Sequence, residues 1–340
     1  MASVFEVSKA YRPFGFPWAA EAAKVQVIDL SWDVHQVELS DDVRQYHSKD
    51  GLKTATVSHE INQAIVKKLL CLFTELDRTV AEGYTTIIPF AKNNEIRNLL
   101  MTHAAKEVVH QRAYALAAET FGFSDEEWLD FQNYAEMREK FDVMGAKVYD
   151  DSDRDEMKFC VGLANILLGE GLGLFAAFVT LLNYKRQGKL MGFNDVNQWS
   201  LIDEQAHVDN NIKILAAARK DLTEAENIAL DKIIRKLIRA YVEAEKNLIT
   251  MIYKDGEQED LTAEQVVDYI EYLGELRECA LGMRKARDVR PNPLKWMEWM
   301  LGAKHDNFFE KRVTDYSHSK LEGEVDWTQY LYLVPDHYRP

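Results

Sequence analysis

Two Glu-x-x-His units stand out in the sequence, Glu107 with His110 and Glu204 with His207. On a helix, a spacing of three sets both side chains on one face, so each unit can chelate one metal ion through a carboxylate oxygen and an imidazole nitrogen. One such match is expected by chance in a chain with nine histidines, so the weight falls on context. Both units lie in helical stretches with apolar flanks. Two further carboxylates lie on apolar helix stretches: Asp77, which continues the stripe Ile61, Ile65, Leu69 and Phe73, and Glu170, the only charged residue between Asn165 and Leu182. Burying a lone carboxylate is costly, and a shared pair of metal ions is a partner that removes the cost. Oxygen and imidazole donors without thiolate suit iron or manganese. Glu75 competes with Asp77, but it lies about 200° around the helix from the stripe, and Asp77 is preferred. Lys106 is one step of about 100° from Glu107 and reads as a solvated flank.

Such a site needs four long helices, and periodicity and caps supply them. Ser58 opens the first, with a turn expected at Gly83, and 96–121 reads as the second. Ser124 with Glu127 is a capping box for a third. The spans 157–187 and 195–220 read as the fourth and fifth, and Thr223 with Glu226 and Thr262 with Gln265 are capping boxes of two more. Residues 1–57 look irregular, with a short extended patch near 25–30. No alternating stretch is long enough for a sheet, so the class is all-α. One carboxylate from each of two helices and a Glu-x-x-His from each of two others is the arrangement of a ferritin-like helical bundle, here with additional long helices.

Composition narrows the partners. The 41 Lys and Arg residues against 56 Asp and Glu leave a formal charge of -15, which repels phosphate backbones and anionic membranes, so neither nucleic acid nor membrane is expected. Three cysteines, Cys71, Cys160 and Cys279, form no CxxC, which points away from disulfides and thiolate zinc and toward a reducing, cytoplasmic setting. The first ten residues lack the pattern of a signal peptide, and the apolar run 172–182 is too short to span a bilayer and reads as a buried helix.

Longer phrases surround these residues: SWDVHQVELSDD from Ser31, KEVVHQRAY from Lys106, LGEGLGLFAAF from Leu168, DEQAH from Asp203, NPLKWMEWM from Asn292 and NFFEKRVTDYS from Asn307. With them, the sequence from about Trp32 to Tyr316 resembles the small subunit of class I ribonucleotide reductase. The resemblance implies that Asp77, Glu107, His110, Glu170, Glu204 and His207 hold a dinuclear centre (Fe/Fe, Mn/Mn or Mn/Fe). It implies that Tyr114, seven positions after Glu107, is the radical tyrosine, with Leu174 and Phe178 as apolar neighbours. It further implies that Trp32, Asp203 and His110 form a hydrogen-bonded relay and that a tail tyrosine among Tyr330, Tyr332 and Tyr338 continues it, Tyr332 being favoured because YLV resembles one bacterial form. The implied partners are a catalytic large subunit, docked through the C-terminal tail, and a second copy in a homodimer. His103 departs from the family by standing where an aromatic residue is common. The expected organisation is an irregular segment 1–57, a dimetal helical domain 58–316 and a flexible docking tail 317–340. The rival is a stand-alone dimetal oxidase or oxygenase, which shares the metal set but has no use for the relay or the tail.

Overall fold

The computed structural model describes residues 2–8 and 15–302. Twelve α-helices follow in order: α1 (Pro17–Lys24), α2 (Ser40–His47), α3 (His59–Ile87), α4 (Asn94–Thr120), α5 (Asp125–Trp128), α6 (Ala135–Met144), α7 (Asp155–Gly171), α8 (Phe175–Arg186), α9 (Met191–Ala218), α10 (Glu224–Ile252), α11 (Ala263–Ala280) and α12 (Lys295–Gly302). Among the described residues there is no strand, only the bridge between Gln258 and Leu261. The all-α class and the ferritin-like arrangement are met.

Four helices close a ring: α3 packs on α4 and α7, and α9 packs on the same two. Their buried faces are mainly apolar, with Ile65, Leu69, Phe73 and Val80 of α3 buried on either side of Asp77. The caps read from the sequence are formed. Ser58 accepts from the Ile61 amide, and Ser124, Thr223 and Thr262 each make a reciprocal capping box.

Three local expectations are corrected. Gly83 is no turn, because α3 runs through it to Ile87. A Cβ there would stand 3.2 Å from Ile166 Cγ1, so this glycine permits the close approach of α7 rather than ending α3. The stretch expected to be one helix over 157–187 is two, broken between Gly171 and Phe175. Polar side chains from the neighbouring helices take the freed backbone groups: Arg277 Nε donates to Gly171 O at 2.8 Å, and the Ala176 amide donates to Glu245 Oε2 at 3.3 Å. Gly173, inside the break, lies where a Cβ would meet the Tyr241 ring at 2.9 Å. This pair of helices is buried without interruption from Phe159 to Tyr184, as the 172–182 reading required. The third correction concerns 1–57, which carries α1 and α2. Its expected extended patch is a π-helical turn, Val25–Asp29, continuing directly from α1. Propensity for an extended patch yields here to packing on α4.

Candidate metal centre

The sequence-predicted ligands converge. Asp77 comes from α3, Glu107 and His110 from α4, Glu170 from α7, and Glu204 and His207 from α9, and all six are at most 1% exposed. They form two groups, Asp77, Glu107, His110 and Glu204, and Glu107, Glu170, Glu204 and His207, within each of which one donor atom per residue lies within 4.8 Å of the others. Glu107 and Glu204 belong to both. His110 Nδ1 is 3.0 Å from Glu204 Oε1, and His207 Nδ1 is 3.1 Å from both Glu107 Oε1 and Glu170 Oε1. Glu75, the competing carboxylate, is half-buried and paired with Arg78 at 2.7 Å, away from the cluster.

Four carboxylates and two imidazoles buried together demand compensating positive charge. Burial pushes the Asp77 carboxyl well up and the Glu170 carboxyl to about 8. Burial opposes the charged imidazolium too, but Glu107 beside His110 and Glu170 beside His207 outweigh it and hold both histidines well above the ordinary imidazole range. Asp77 Oδ2, both oxygens of Glu107 and of Glu204, and His110 Nδ1 are buried without a hydrogen bond. Orphaned buried donor atoms of this kind are rare unless something else binds them. Oxygen and imidazole donors in two overlapping sets fit a pair of divalent ions that share Glu107 and Glu204.

Tyr114 is fully buried in α4. Its ring stacks on Phe73 at 4.5 Å between centroids and meets Phe193 edge-on at 6.1 Å, while Phe178 packs against the same Phe73 at 5.0 Å. Its hydroxyl donates to Asn197 Oδ1 at 3.2 Å. Burial first, and the nearby charge of Asp77 second, push this phenol well up, so it stays protonated.

The expected Trp32, Asp203 and His110 chain is formed. Trp32 Nε1 donates to Asp203 Oδ2 at 2.8 Å, and His110 Nε2 lies 3.2 Å from the same oxygen. The indole and imidazole rings are 5.7 Å apart and nearly parallel. Lys106 is not the solvated flank that its helical angle suggested. Its side chain is 8% exposed, with Nζ 3.3 Å from Asp203 Oδ2 and donating to Leu30 O at 2.6 Å, because the turn after α1 covers this side of α4. Burial works to raise the Asp203 carboxyl, and the His110 hydrogen bond and the Lys106 charge overcome it, leaving it below the usual carboxylate value.

Three further buried residues stand at the site: Tyr84 and Asn211, which the sequence reading did not name, and His103, which it noted only as a departure from the family. A signal existed: they stand seven after Asp77, four before Glu107 and four after His207, the helical spacings that share a face with each ligand. Tyr332 and the tail 317–340 lie outside the described residues.

Comparison with known proteins agrees with this geometry. Residues 8–293 match the family described as ribonucleotide reductase, small chain. A probable ribonucleoside-diphosphate reductase small subunit of Invertebrate iridescent virus 3 is 25% identical over 334 residues, covering 93% of this chain and 86% of that one. Among solved structures, the ribonucleotide reductase R2 subunit of Clostridium botulinum superposes with a TM-score of 0.76 at 18% identity, over 88% of this chain and 94% of the other. The dimanganese(II) NrdF of Streptococcus sanguinis gives 0.68 at 16% identity, over 85% and 99%. A match over most of the length, on a helical ring that brings the two Glu-x-x-His units together, places the chain in the small-chain family of ribonucleotide reductase.

Proposed function

We propose that this small subunit generates a radical: Asp77, Glu107, His110, Glu170, Glu204 and His207 hold a dinuclear metal centre, Tyr114 is the residue oxidised beside it, and Trp32, Asp203 and His110 carry the oxidising equivalent toward a large subunit. The observation that carries this reading is the pair of four-residue groups sharing Glu107 and Glu204 next to a fully buried Tyr114. Two bound ions, as Fe/Fe, Mn/Mn or Mn/Fe, would supply the oxidising power, with an oxygen species as oxidant that takes up one electron and one proton from the neighbouring phenol.

The chain's own residues do the rest. Asp203 Oδ2 holds His110 by Nε2, which turns Nδ1 toward the carboxylates and keeps the ring from rotating. Phe73, Phe178 and Phe193 wall off the Tyr114 side and exclude water and reductants. Asn197 Oδ1 accepts the phenol hydrogen bond, which orients the hydroxyl without removing its proton. On the exit side, the indole N–H of Trp32 donates to Asp203 Oδ2, so when an electron leaves the indole its N–H proton can pass to that carboxylate oxygen. Lys106 holds Asp203 in its charged form.

The organisation we propose is a dimetal domain over 58–316, preceded by the N-terminal segment and followed by a docking tail, 317–340, in which Tyr332 continues the relay. Ribonucleotide reduction then takes place in the large subunit, in the cytoplasm. A homodimer has support in an apolar strip, since Val27 and Ile28 beside α1 and Met101 and Val108 on α4 are 60, 55, 46 and 58% exposed. Residues seven apart on α4 share a face, so Met101 and Val108 extend one patch.

Reconstitution with Fe(II) or Mn(II) and an oxidant tests the proposal through metal analysis, low-temperature EPR and deoxyribonucleotide formation with added large subunit. The expected result is two metal ions per chain, a tyrosyl signal, and turnover only with the large subunit; removal of residues 321–340 should leave the signal and abolish subunit binding. Turnover of a small substrate by the chain alone would favour a stand-alone dimetal oxidase, and fewer than two ions per chain would overturn both readings.

A further inference from the structure

Glu170 differs from the other carboxylates of the cluster. Asp77, Glu107 and Glu204 each leave at least one buried oxygen without a hydrogen bond, whereas both oxygens of Glu170 accept one. Tyr84 Oη donates to Glu170 Oε1 at 2.7 Å. Asn211 Nδ2 donates to Glu170 Oε2 at 3.0 Å and to Tyr84 Oη at 2.8 Å, so amide, phenol and carboxylate close a ring. His103 braces it, with Nδ1 3.3 Å from Tyr84 Oη and its ring 4.3 Å from that of His207.

These groups are all fully buried. A core built only for packing would place apolar side chains here, because each buried polar group costs free energy unless it is paired. The pairing converges on one carboxylate. Nothing comparable holds Asp77, at the other end of the cluster, whose Oδ2 has no hydrogen-bond partner.

We propose that Tyr84 and Asn211 are positioning residues that clamp Glu170, making the two metal positions unequal: the one beside His207 depends for its affinity on this carboxylate clamp, and the one beside Asp77, which has no clamped carboxylate of its own, does not. The inference rests on the dimetal reading. A clamped carboxylate presents its remaining lone pairs in one orientation, so less order must be imposed when an ion binds. Freeing it exposes the ion to a carboxylate that can swing. Outer hydrogen-bond partners of metal ligands typically account for about 10- to 100-fold in affinity.

The test titrates metal-free protein with Mn(II), followed by calorimetry and by the EPR spectrum of the bound ions. Tyr84→Phe keeps the ring and removes the donor. Asn211→Ala removes the other donor and serves as a second, independent variant should the first fail to fold. The control is Tyr184→Phe, a fully buried tyrosine whose hydroxyl pairs with Asn62, outside the cluster. The expected result is that wild type and the control bind two Mn(II), while Tyr84→Phe and Asn211→Ala each weaken one of the two binding events about 10- to 100-fold and alter the spectrum of the bound pair, leaving the other event unchanged. Unchanged isotherms and spectra in both variants, equal weakening of both events, or the same loss in the control would overturn the clamp while leaving the dimetal reading intact. A wild type that binds fewer than two Mn(II) would overturn that reading and the clamp with it.

Discussion

Trp32 Nε1 and Asp203 Oδ2 are joined by a 2.8 Å hydrogen bond across 171 residues of sequence, and the same oxygen faces His110 Nε2. This contact ties the N-terminal segment to the metal cluster. Trp32→Phe keeps most of the packing volume but is far harder to oxidise, and Asp203→Asn keeps the shape while losing the charge that strengthens both contacts. Each variant should fold, bind the large subunit and form the Tyr114 radical at least in part, yet lose most deoxyribonucleotide formation. Radical yield, subunit affinity and product measured on one preparation check this; near-normal reduction in both variants would remove the chain as a path.

Tyr114→Phe deletes one hydroxyl from an apolar pocket. Stability should fall by about 1–3 kcal/mol, because the buried Asn197 Oδ1 is left without its donor. Metal content should be unchanged, while the long-lived tyrosyl signal and reductase activity disappear. A persistent signal of wild-type strength would place the radical elsewhere.

Lys106→Met replaces a buried cation with an apolar side chain of similar length. Leu30 O loses its donor and Asp203 loses a charged neighbour. A drop of about 1–3 kcal/mol in unfolding free energy is expected, as for a buried acceptor left unpaired, together with a loss of nucleotide reduction larger than the loss of radical yield. Denaturant midpoints within error of wild type would return Lys106 to the role of a surface flank.

The thiols give a pH-dependent check. Burial pushes Cys71 and Cys160 up to about 12, whereas Cys279 is partly exposed. Iodoacetamide at pH 8 should therefore modify Cys279 in the native protein and the other two only after denaturation, as read by mass spectrometry. An unfolded thiol titrates near 8.5, below the folded values, so the unfolded state loses these protons first. The stability they contribute is complete below about pH 8.5 and is lost as the pH rises toward 12, and unfolding free energy should decline across that window. Fast labelling of Cys160 in the native state would contradict its burial.

The candidate ligand set is legible in the sequence because helical spacing alone decides which side chains share a face: Glu107 with His110, Glu204 with His207, and Asp77 on the stripe of Phe73. The caps at Ser58, Thr223 and Thr262 were legible for the same reason, each being a contact within one turn. What lies opposite a face is another matter. Gly83 carries the sequence signal of a turn, but Ile166 of α7 packs against it within a continuous helix, and 157–187 carries the pattern of one helix, but Arg277 and Glu245 hold two broken ends. Lys106 is buried only because the turn after α1 folds over it. Tyr84, His103 and Asn211 sit at ligand spacings on three helices, yet Tyr84 and Asn211 meet on Glu170 of a fourth and His103 reaches it only through the Tyr84 hydroxyl. Local spacing sets the direction of a side chain on its own helix, while its partner is chosen by packing between segments far apart in the chain, and that the tertiary structure alone decides.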